Sequence, residues 1–352
     1  MTNSQRPDAP PGVDLDAIAR YLDQRKPGMR DGDLTATLIS GGRSNLTYFL
    51  SDASHTWVLR RPPLAHVLAT AHDMAREHRV ISALAQTSIP VPTPILLCED
   101  DTVNGAPFYV MEKVDGLVLR NTPEALAIGE ANIAPLSFHL VEVLGQLHAT
   151  DPASIGLRDF GRPEGFLTRQ VSRWGKQLDS SRSREVASLD ALATALSSSI
   201  PVTQRAGIVH GDYRLDNVIV RPGAQPDDGY DVAAVVDWEM STLGDPLTDI
   251  GLLCVYWASM GSATLVPTSL SADAIAPFPS TNNLVEAYAA ASGLDMTDLP
   301  WYVGFGCFKL GVILEGIHYR HAMGKTVGAG FDVIGSMVDP LAQRGLAAMK
   351  GR

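Results

Sequence analysis

One polar loop constrains the fold of this chain more than any other stretch. Residues 209–220 read Val-His-Gly-Asp-Tyr-Arg-Leu-Asp-Asn-Val-Ile-Val, so a polar turn that contains Asp212 and Asn217 runs into an apolar segment. A second apolar run, 232–236, ends directly at Asp237. Two such runs joined by a turn predict a hairpin whose end carries all three side chains. Oxygen ligands of this kind suit Mg²⁺, which takes few carboxylates and completes its shell with water and phosphate oxygens.

Aspartate and asparagine also favour turns, so either residue alone could serve only to connect strands. The combined spacing favours a chemical role, because an Asp, an Asn at the fifth position after it and an acid on the next hairpin strand match the catalytic loop of kinases. The motifs here begin at His210 and Asp237 and read His-Gly-Asp and Asp-Trp-Glu, instead of the His-Arg-Asp and Asp-Phe-Gly of protein kinases. They resemble the aminoglycoside phosphotransferase and choline kinase-like family.

The resemblance extends over residues 34–255 and is most specific at 209–217 and 235–239. The ordered series Arg-Pro-Pro, helix glutamate, His-Gly-Asp-Tyr-Arg-Leu-Asp-Asn, Asp-Trp-Glu and Gly-Asp-Pro-Leu-x-Asp is most similar to one subgroup. That subgroup comprises the kinase-like domains associated with acyl-CoA dehydrogenases, which phosphorylate hydroxyacyl-CoA.

The resemblance implies an α+β, bilobal protein-kinase-like fold, with a small N-lobe and a larger, mainly helical C-lobe. The N-lobe is expected to hold a five-stranded antiparallel sheet plus a helix. We predict a disordered tail over residues 1–12, because it is polar and rich in proline. The nucleotide-binding N-lobe would then cover 13–114, and the C-lobe with the catalytic loop, metal and acceptor site would cover 115–352.

The same resemblance assigns roles to the central loop. Asp212 would orient the acceptor hydroxyl and receive its proton, with His210 belonging to the same catalytic motif. Asn217 and Asp237 would hold Mg²⁺. The nucleotide would be ATP or GTP.

A phosphate-binding loop is expected between the first two strands. Alternating residues predict strands over 34–39 and 46–50, joined by a glycine-bearing loop. In a phosphotransferase the two glycines let backbone N–H groups approach phosphates, and the serine and asparagine add donors. The predicted members of this loop are Gly41, Gly42, Ser44 and Asn45.

A third predicted strand, 56–61, carries two arginines where the family has a lysine that contacts the phosphates. A guanidinium can grip phosphate with two hydrogen bonds, so the role can survive the change. By the resemblance, Arg60 contacts the nucleotide and is oriented by Glu77, which lies within a predicted helix over 65–86. Arg61 is the alternative residue for the contact to the nucleotide. The alternative to a functional role is that the two arginines are a solvated basic pair at a strand end and that Glu77 is a surface acid of its helix.

Two further strands, 95–99 and 108–114, would complete the sheet. In the resembling family this segment is the hinge, so the backbone of Glu112 and Val114 would bind the edge of the adenine ring.

The rest of the chain is predominantly helical. Asp249 would open the helix over 250–260, where capping explains a carboxylate; by the resemblance it also steadies the catalytic loop. We expect His148 to pack inside the protein. A loop rich in Ser, Thr and Pro covers 261–283. Six helices are predicted by their apolar periodicity: 14–24, 134–148, 165–178, 185–199, 283–292 and 300–323. The last contains Lys309, Glu315, His318, Tyr319, Arg320 and His321, which could line an acceptor pocket.

Composition narrows the partners. The net charge of −11 argues against nucleic acid, whose binders present basic faces. Three cysteines, far apart and in apolar surroundings, are expected to be buried thiols. The first residues lack the apolar core of a secretory signal, and the apolar stretches are too short to span a bilayer. We therefore expect a cytoplasmic monomer or homodimer that acts on neither nucleic acid nor a membrane.

The resemblance therefore implies a kinase for a small-molecule hydroxyl, with a hydroxyacyl-CoA or another small alcohol as the first expectation. The alternatives are an O-phosphotransferase for aminoglycosides or related amino-sugars, and a nucleotide-binding pseudokinase that acts as a scaffold.

Overall fold

The computed structural model describes residues 9–39, 45–64, 73–225, 229–258, 276–326 and 330–351. Gly41, Gly42 and Ser44, predicted to bind phosphate, lie outside these residues, as does most of the predicted tail. The chain divides into two compact units: Met1–Gly116 with Ala233–Glu239, and Leu117–Val232 with Met240–Arg352. The domain boundaries derived from the sequence stay predictions.

The first unit is built on one antiparallel sheet of five strands in the order β1-β2-β3-β5-β4. This confirms the predicted α+β class and the predicted strand count. Along β3, side chains alternate between the two faces of the sheet, so Leu59 and Arg60 point in opposite directions. The strands are β1 (Thr35–Leu38), β2 (Leu46–Ser51), β3 (Thr56–Arg61), β4 (Pro94–Cys98) and β5 (Phe108–Glu112).

Helices pack on both faces of this sheet. The first, α1 (Leu15–Arg25), is capped by the side chain of Asp14 and buries Ile18 and Leu22 in a core with β-strand residues such as Leu59. The second, α2 (Met74–Leu84), packs on β4 and β5. The short helix α3 (Asp101–Asn104), which was not predicted, links β4 to β5.

The second unit is mainly helical, as predicted. Every helix predicted there is present, although α8 begins at Leu247 and not at 250. The sequence did not predict the short α4 or the long α11, within which Pro340 interrupts the helical pattern. The helices are α4 (Thr122–Leu126), α5 (Glu130–Ala149), α6 (Phe166–Ser181), α7 (Ala187–Ser198), α8 (Leu247–Trp257), α9 (Thr281–Ser292), α10 (Leu299–Ala322) and α11 (Ile334–Lys350). In the described part of the chain, no helix is both long and apolar enough to cross a membrane.

Two pairs of short strands hold the predicted catalytic loop. Strand β6 (Gly207–Val209) leads into the loop and pairs with β9 (Thr242–Gly244). Strand β7 (Val218–Pro222) leads out of it and pairs with β8 (Tyr230–Val235). The strands at the two ends therefore limit where residues 210–217 can lie.

Helix α10 is the central packing element of the second unit, because α6, α7, α8 and α11 all contact it. Its approach to α8 is close at Gly251, where an added Cβ would lie 2.6 Å from the backbone carbonyl carbon and oxygen of Tyr302. No flexible side chain can move aside there, since the atoms in the way are backbone.

Substitution Gly251→Ala should therefore lower the free energy of unfolding by about 1–3 kcal/mol through overpacking between the two helices. Urea titration of the purified variant measures this change. The matched control is Gly175→Ala on α6, where an added Cβ meets nothing within 4 Å. The free energy of unfolding of this variant should rise by about 1 kcal/mol, because alanine has a higher helix propensity than glycine. Equal behaviour of the two variants would contradict the close-packing argument.

Candidate active site

The first unit contains a cluster of one arginine and three acids. The Nε atom of Arg60 lies 3.1 Å from Oε1 of Glu77, and an Nη2 donor of the same guanidinium binds the carboxylate of Asp237. The carboxylate of Glu239 lies 3.6 Å from that Nη2 and accepts a hydrogen bond of 2.9 Å from Asn45. The guanidinium of Arg60 thus contacts three acidic side chains directly, and Asn45 joins the cluster through Glu239.

Burial controls the protonation of this cluster. Glu77 is 2% exposed, and its carboxylate is in contact with the Arg60 guanidinium and with the hydroxyl of Tyr109. Burial raises the pKa of Glu77 to about 7, against the opposing effect of Arg60, and the charges of Asp237 and Glu239 raise it further. The buried hydroxyl of Tyr109, opposite Arg60 in the sheet register, has its pKa raised by the same burial. One guanidinium cannot fully compensate three carboxylates, so the most buried acid retains its proton most readily.

The two arginines of β3 have different surroundings. Arg61 donates to the backbone carbonyls of Gly12 and of Asn104, the latter at 3.1 Å, so its guanidinium binds other parts of the first unit. Both arginines are buried, which is contrary to a solvated basic pair at a strand end. Arg60 alone of the two binds acidic side chains in the described structure.

The predicted hinge residues lie at the end of the sheet. Glu112 is the last residue of β5, and its N–H donates to the carbonyl of Thr93 at 2.9 Å. This N–H is therefore already bound within the chain. Val114 follows two positions later and is partly exposed.

Asp237 has a φ of +67°, the left-handed region that non-glycine residues seldom adopt. The next residue, Trp238, is buried, and its indole N–H donates to the carbonyl of Val235 at 3.0 Å. A packed tryptophan can hold the strained turn that aims the Asp237 carboxylate. Strain of this kind is common at functional sites.

In the second unit, Asp249 holds the backbone of the predicted catalytic loop. Its Oδ2 accepts from the N–H of His210 at 2.7 Å, and its Oδ1 accepts from the N–H of Gly211 at 2.8 Å. The buried ring of His148 bridges Asp249 and Tyr288 at 3.2 Å and 2.6 Å. Asp249 thus steadies the loop, as predicted, and His148 packs inside, as predicted.

The capping role first suggested for Asp249 is wrong. Helix α8 begins at Leu247, whose N–H donates to Oδ1 of Asp245 at 3.0 Å. Asp249 lies in the first turn, and its carboxylate points at the loop, so Asp245 binds the free end of the helix instead. Burial acts to raise the pKa of the Asp249 carboxyl, but His148, the charge of His210 and the hydrogen bond from the Gly211 amide together lower it.

Asp212 stands among donors. Its Oδ2 accepts from Nδ2 of Asn217 at 3.0 Å and lies 3.4 Å from Nε of Arg214. Its Oδ1 is 3.5 Å from the hydroxyl of Tyr256, and the ring centroid of Tyr256 lies 4.9 Å from the guanidinium carbon of Arg214. The carboxylate is partly exposed, with a side-chain exposure of 24%. It can therefore accept a proton from a group that approaches from solvent.

The donor chemistry of Asn217 fits a metal ligand. Its amide nitrogen donates to the carbonyl of Asp212 at 2.8 Å and to the carboxylate of the same residue. This arrangement identifies Oδ1 as the atom that could bind a cation. The described residues include no group of three His, Cys, Asp or Glu side chains placed to hold a metal.

A buried lysine adjoins the catalytic loop. Lys309 of α10 is 9% exposed and donates from Nζ to the carbonyl of Gly211 at 2.5 Å. Burial lowers the pKa of its amine, the charges of Asp212 and Asp249 raise it, and those of Arg173 and Arg214 lower it. The sequence indicated Lys309 as a polar residue on an apolar helix but did not reveal its partner. The other predicted pocket residues include Glu315, which is buried and pairs with Arg184 at 2.8 Å.

Comparison with known proteins identifies the class. Residues 35–293 match the model of the phosphotransferase enzyme family, APH. A candidate aminoglycoside phosphotransferase from Ralstonia eutropha is similar in structure, with a TM-score of 0.79 and 32% identity over 96% of this chain and 98% of that one. The chain therefore belongs to the phosphotransferase enzyme family.

More distant structures share the fold. An aminoglycoside 2′-phosphotransferase solved with GDP has a TM-score of 0.60 at 14% identity, covering 95% of this chain and 99% of that one. An ethanolamine kinase of Plasmodium vivax has a TM-score of 0.56 at 14% identity, covering 94% and 86%. These likenesses confirm the predicted kinase-like fold.

Similar sequences also occur within larger proteins. Acyl-CoA dehydrogenase family member 11 of Rattus norvegicus is 33% identical over 339 residues, which are 95% of this chain and 43% of that protein. Family member 10 of Mus musculus is 30% identical over 94% of this chain and 31% of that protein. The chain thus spans less than half the length of these relatives. They are consistent with the predicted subgroup.

The raised pKa of Glu77 predicts a pH dependence of stability. Unfolding returns its pKa from about 7 to the ordinary 4.5, so between these values the folded protein binds more protons than the unfolded chain. The free energy of unfolding should therefore carry a contribution that falls by about 3 kcal/mol as the pH rises through this window.

Subtracting the curve of Glu77→Gln from that of the wild type isolates this contribution, because other carboxyl groups act in both proteins. Urea unfolding across the window gives the two curves. The control is Glu142→Gln, an exposed glutamate on α5, whose difference curve should be flat. A flat difference curve for Glu77→Gln would contradict the assignment.

Proposed function

We propose that the chain is a small-molecule kinase that transfers the γ-phosphoryl group of ATP to a hydroxyl. The observation that carries the proposal is the loop at 210–217, where one partly exposed carboxylate, that of Asp212, lies among fixed donors. The chain's membership of the phosphotransferase enzyme family supports the same reaction. GTP is the second candidate donor, since a relative in fold was solved with GDP.

In the proposed reaction Asp212 acts as the general base. The acceptor oxygen attacks the γ-phosphorus while its proton passes to the Asp212 carboxylate. The bond between that phosphorus and the bridging oxygen breaks, and the electron pair leaves with the nucleoside diphosphate. Asn217 and Asp237 would hold Mg²⁺, which when bound offsets negative charge on the phosphates.

Arg60 is proposed to hold the nucleotide phosphates. Its guanidinium already binds carboxylates in the described structure, which supports an affinity for phosphate oxygens at the same position. Glu77 orients it from α2. The loop of Gly41, Gly42, Ser44 and Asn45 and the backbone of Glu112 and Val114 are the proposed contacts to the phosphates and the base.

We propose a hydroxyacyl-CoA as the acceptor. Two facts support this class: the relatives named acyl-CoA dehydrogenase family members, and the mixed charge around Asp212. Two cationic side chains, those of Arg214 and Lys309, lie near Asp212. The acid Asp216 lies 2.9 Å from Arg214, so the charge there is mixed. An amino-sugar acceptor carries several positive charges and would bind better to a site with an excess of carboxylates. The aminoglycoside alternative is therefore less favoured.

A panel of acceptors tests the proposal. Purified protein with Mg²⁺ and ATP is incubated with hydroxyacyl-CoA thioesters, spectinomycin or ethanolamine, and phosphorylated products are measured by mass spectrometry. Transfer to a hydroxyacyl-CoA is expected. Transfer only to spectinomycin or ethanolamine would overturn the acceptor class, and nucleotide binding without any transfer would support the scaffold alternative.

Variants at the proposed base and metal ligand sharpen the test. Asp212→Asn should lower turnover by about 10²–10⁴-fold through loss of the general base. Asp237→Ala should also lower turnover by orders of magnitude, with both variants still folded by circular dichroism. Asp179→Asn, an exposed aspartate on α6, is the control and should retain full activity. Near-normal turnover of Asp237→Ala would refute the metal assignment.

A further inference from the structure

Both polar ends of one peptide group in the catalytic loop are bound by side chains. The group joins Gly211 to Asp212. Its carbonyl oxygen accepts from Nζ of Lys309 at 2.5 Å, and its N–H donates to Nδ1 of His210 at 3.2 Å. A peptide group is planar, so two such bonds fix its rotation about the chain. The direction in which the Asp212 side chain leaves the backbone depends on that rotation.

Because Gly211 has no side chain, the peptide group that follows it can rotate unless hydrogen bonds fix it. Its φ is +90°, and an added Cβ would lie 2.8 Å from Cβ and 2.9 Å from the carbonyl oxygen of Met240, so glycine is required. Glycine has the widest choice of backbone angles. A fixed donor on the carbonyl removes that choice.

Lys309 is an unusual donor for a purely structural bond. It is buried on α10, and among the residues that the structure describes no carboxylate forms an ion pair with its amine. The ring of Trp174 lies 5.6 Å from Nζ and supplies a cation–π contact. Burying an ammonium without a paired carboxylate costs free energy. An apolar residue would fill the same position at lower cost, so stability alone does not explain the lysine.

We propose that Lys309 is a positioning residue for phosphoryl transfer, which sets the Gly211–Asp212 peptide and thereby the direction of the Asp212 carboxylate. The inference rests on the proposed function, because it takes Asp212 as the base. It adds a residue from α10, remote in sequence from the catalytic loop. Its expected signature is a loss of turnover with little loss of nucleotide affinity, since the contacts proposed for the nucleotide phosphates lie in the first unit.

Steady-state kinetics with Mg²⁺, ATP and a hydroxyacyl-CoA tests the proposal in the full chain. Lys309→Met removes the donor and keeps an unbranched apolar side chain; its kcat should fall by about 10²-fold, with the KM for ATP within about twofold of wild type. Lys309→Arg keeps a cationic donor and should recover part of the lost kcat. Lys350→Met, at the exposed end of α11, is the control and should match wild type. A wild-type kcat in Lys309→Met would overturn the proposal.

A second measurement separates this inference from the proposed function. Amide NMR of ¹⁵N-labelled protein follows Asp212, whose nitrogen senses the hydrogen bond on the preceding carbonyl. In Lys309→Met this resonance should move, whereas amides of β1 should not; in Lys309→Arg it should stay nearer the wild-type position. An unmoved Asp212 amide would overturn the positioning role even if kcat falls. If wild type transfers phosphate to no acceptor, the proposed function fails, and the NMR result still decides the role of Lys309.

Discussion

The loop at 210–217 depends on the carboxylate of Asp249, which accepts hydrogen bonds from two successive backbone amides. Burying an amide without an acceptor costs free energy, so the backbone at His210 and Gly211 is most stable where both amides bind this carboxylate. His148 and Tyr288 hold the carboxylate from the other side and satisfy its charge inside the protein. The resulting network connects α5, α8 and α9 to the loop at 210–217.

Charge compensation shapes the first unit in a different way. A single guanidinium, that of Arg60, is shared by three acids, and the deepest of them, Glu77, has its pKa raised to about 7. Such a cluster carries surplus negative charge when every acid is ionised. A bound cation would relieve this surplus at Asp237. Arg60 keeps its proton in proteins, so its positive charge reduces the repulsion among the three acids even when no cation is bound.

Family membership and acceptor chemistry are separate questions in this protein. The match over residues 35–293 and the Ralstonia eutropha structure establish the phosphotransferase family. Relatives of one fold include an ethanolamine kinase and an aminoglycoside phosphotransferase, so the fold supports more than one acceptor. The fold by itself therefore does not determine which acceptor this chain uses.

Sequence alone determined the α+β class, the five-stranded sheet, nearly all the helices and the motif from His210 to Asn217, because alternation, periodicity and local spacing are properties of neighbouring residues. It missed the short α3 and α4, and also α11, whose internal proline weakens a local signal. Only the tertiary structure decided which two amides of the loop Asp249 binds, and that Lys309 binds the carbonyl of Gly211. Those partners lie 38 and 98 positions from Gly211 along the chain. Such pairings arise when helices pack, and no local pattern encodes which buried donor will meet which acceptor.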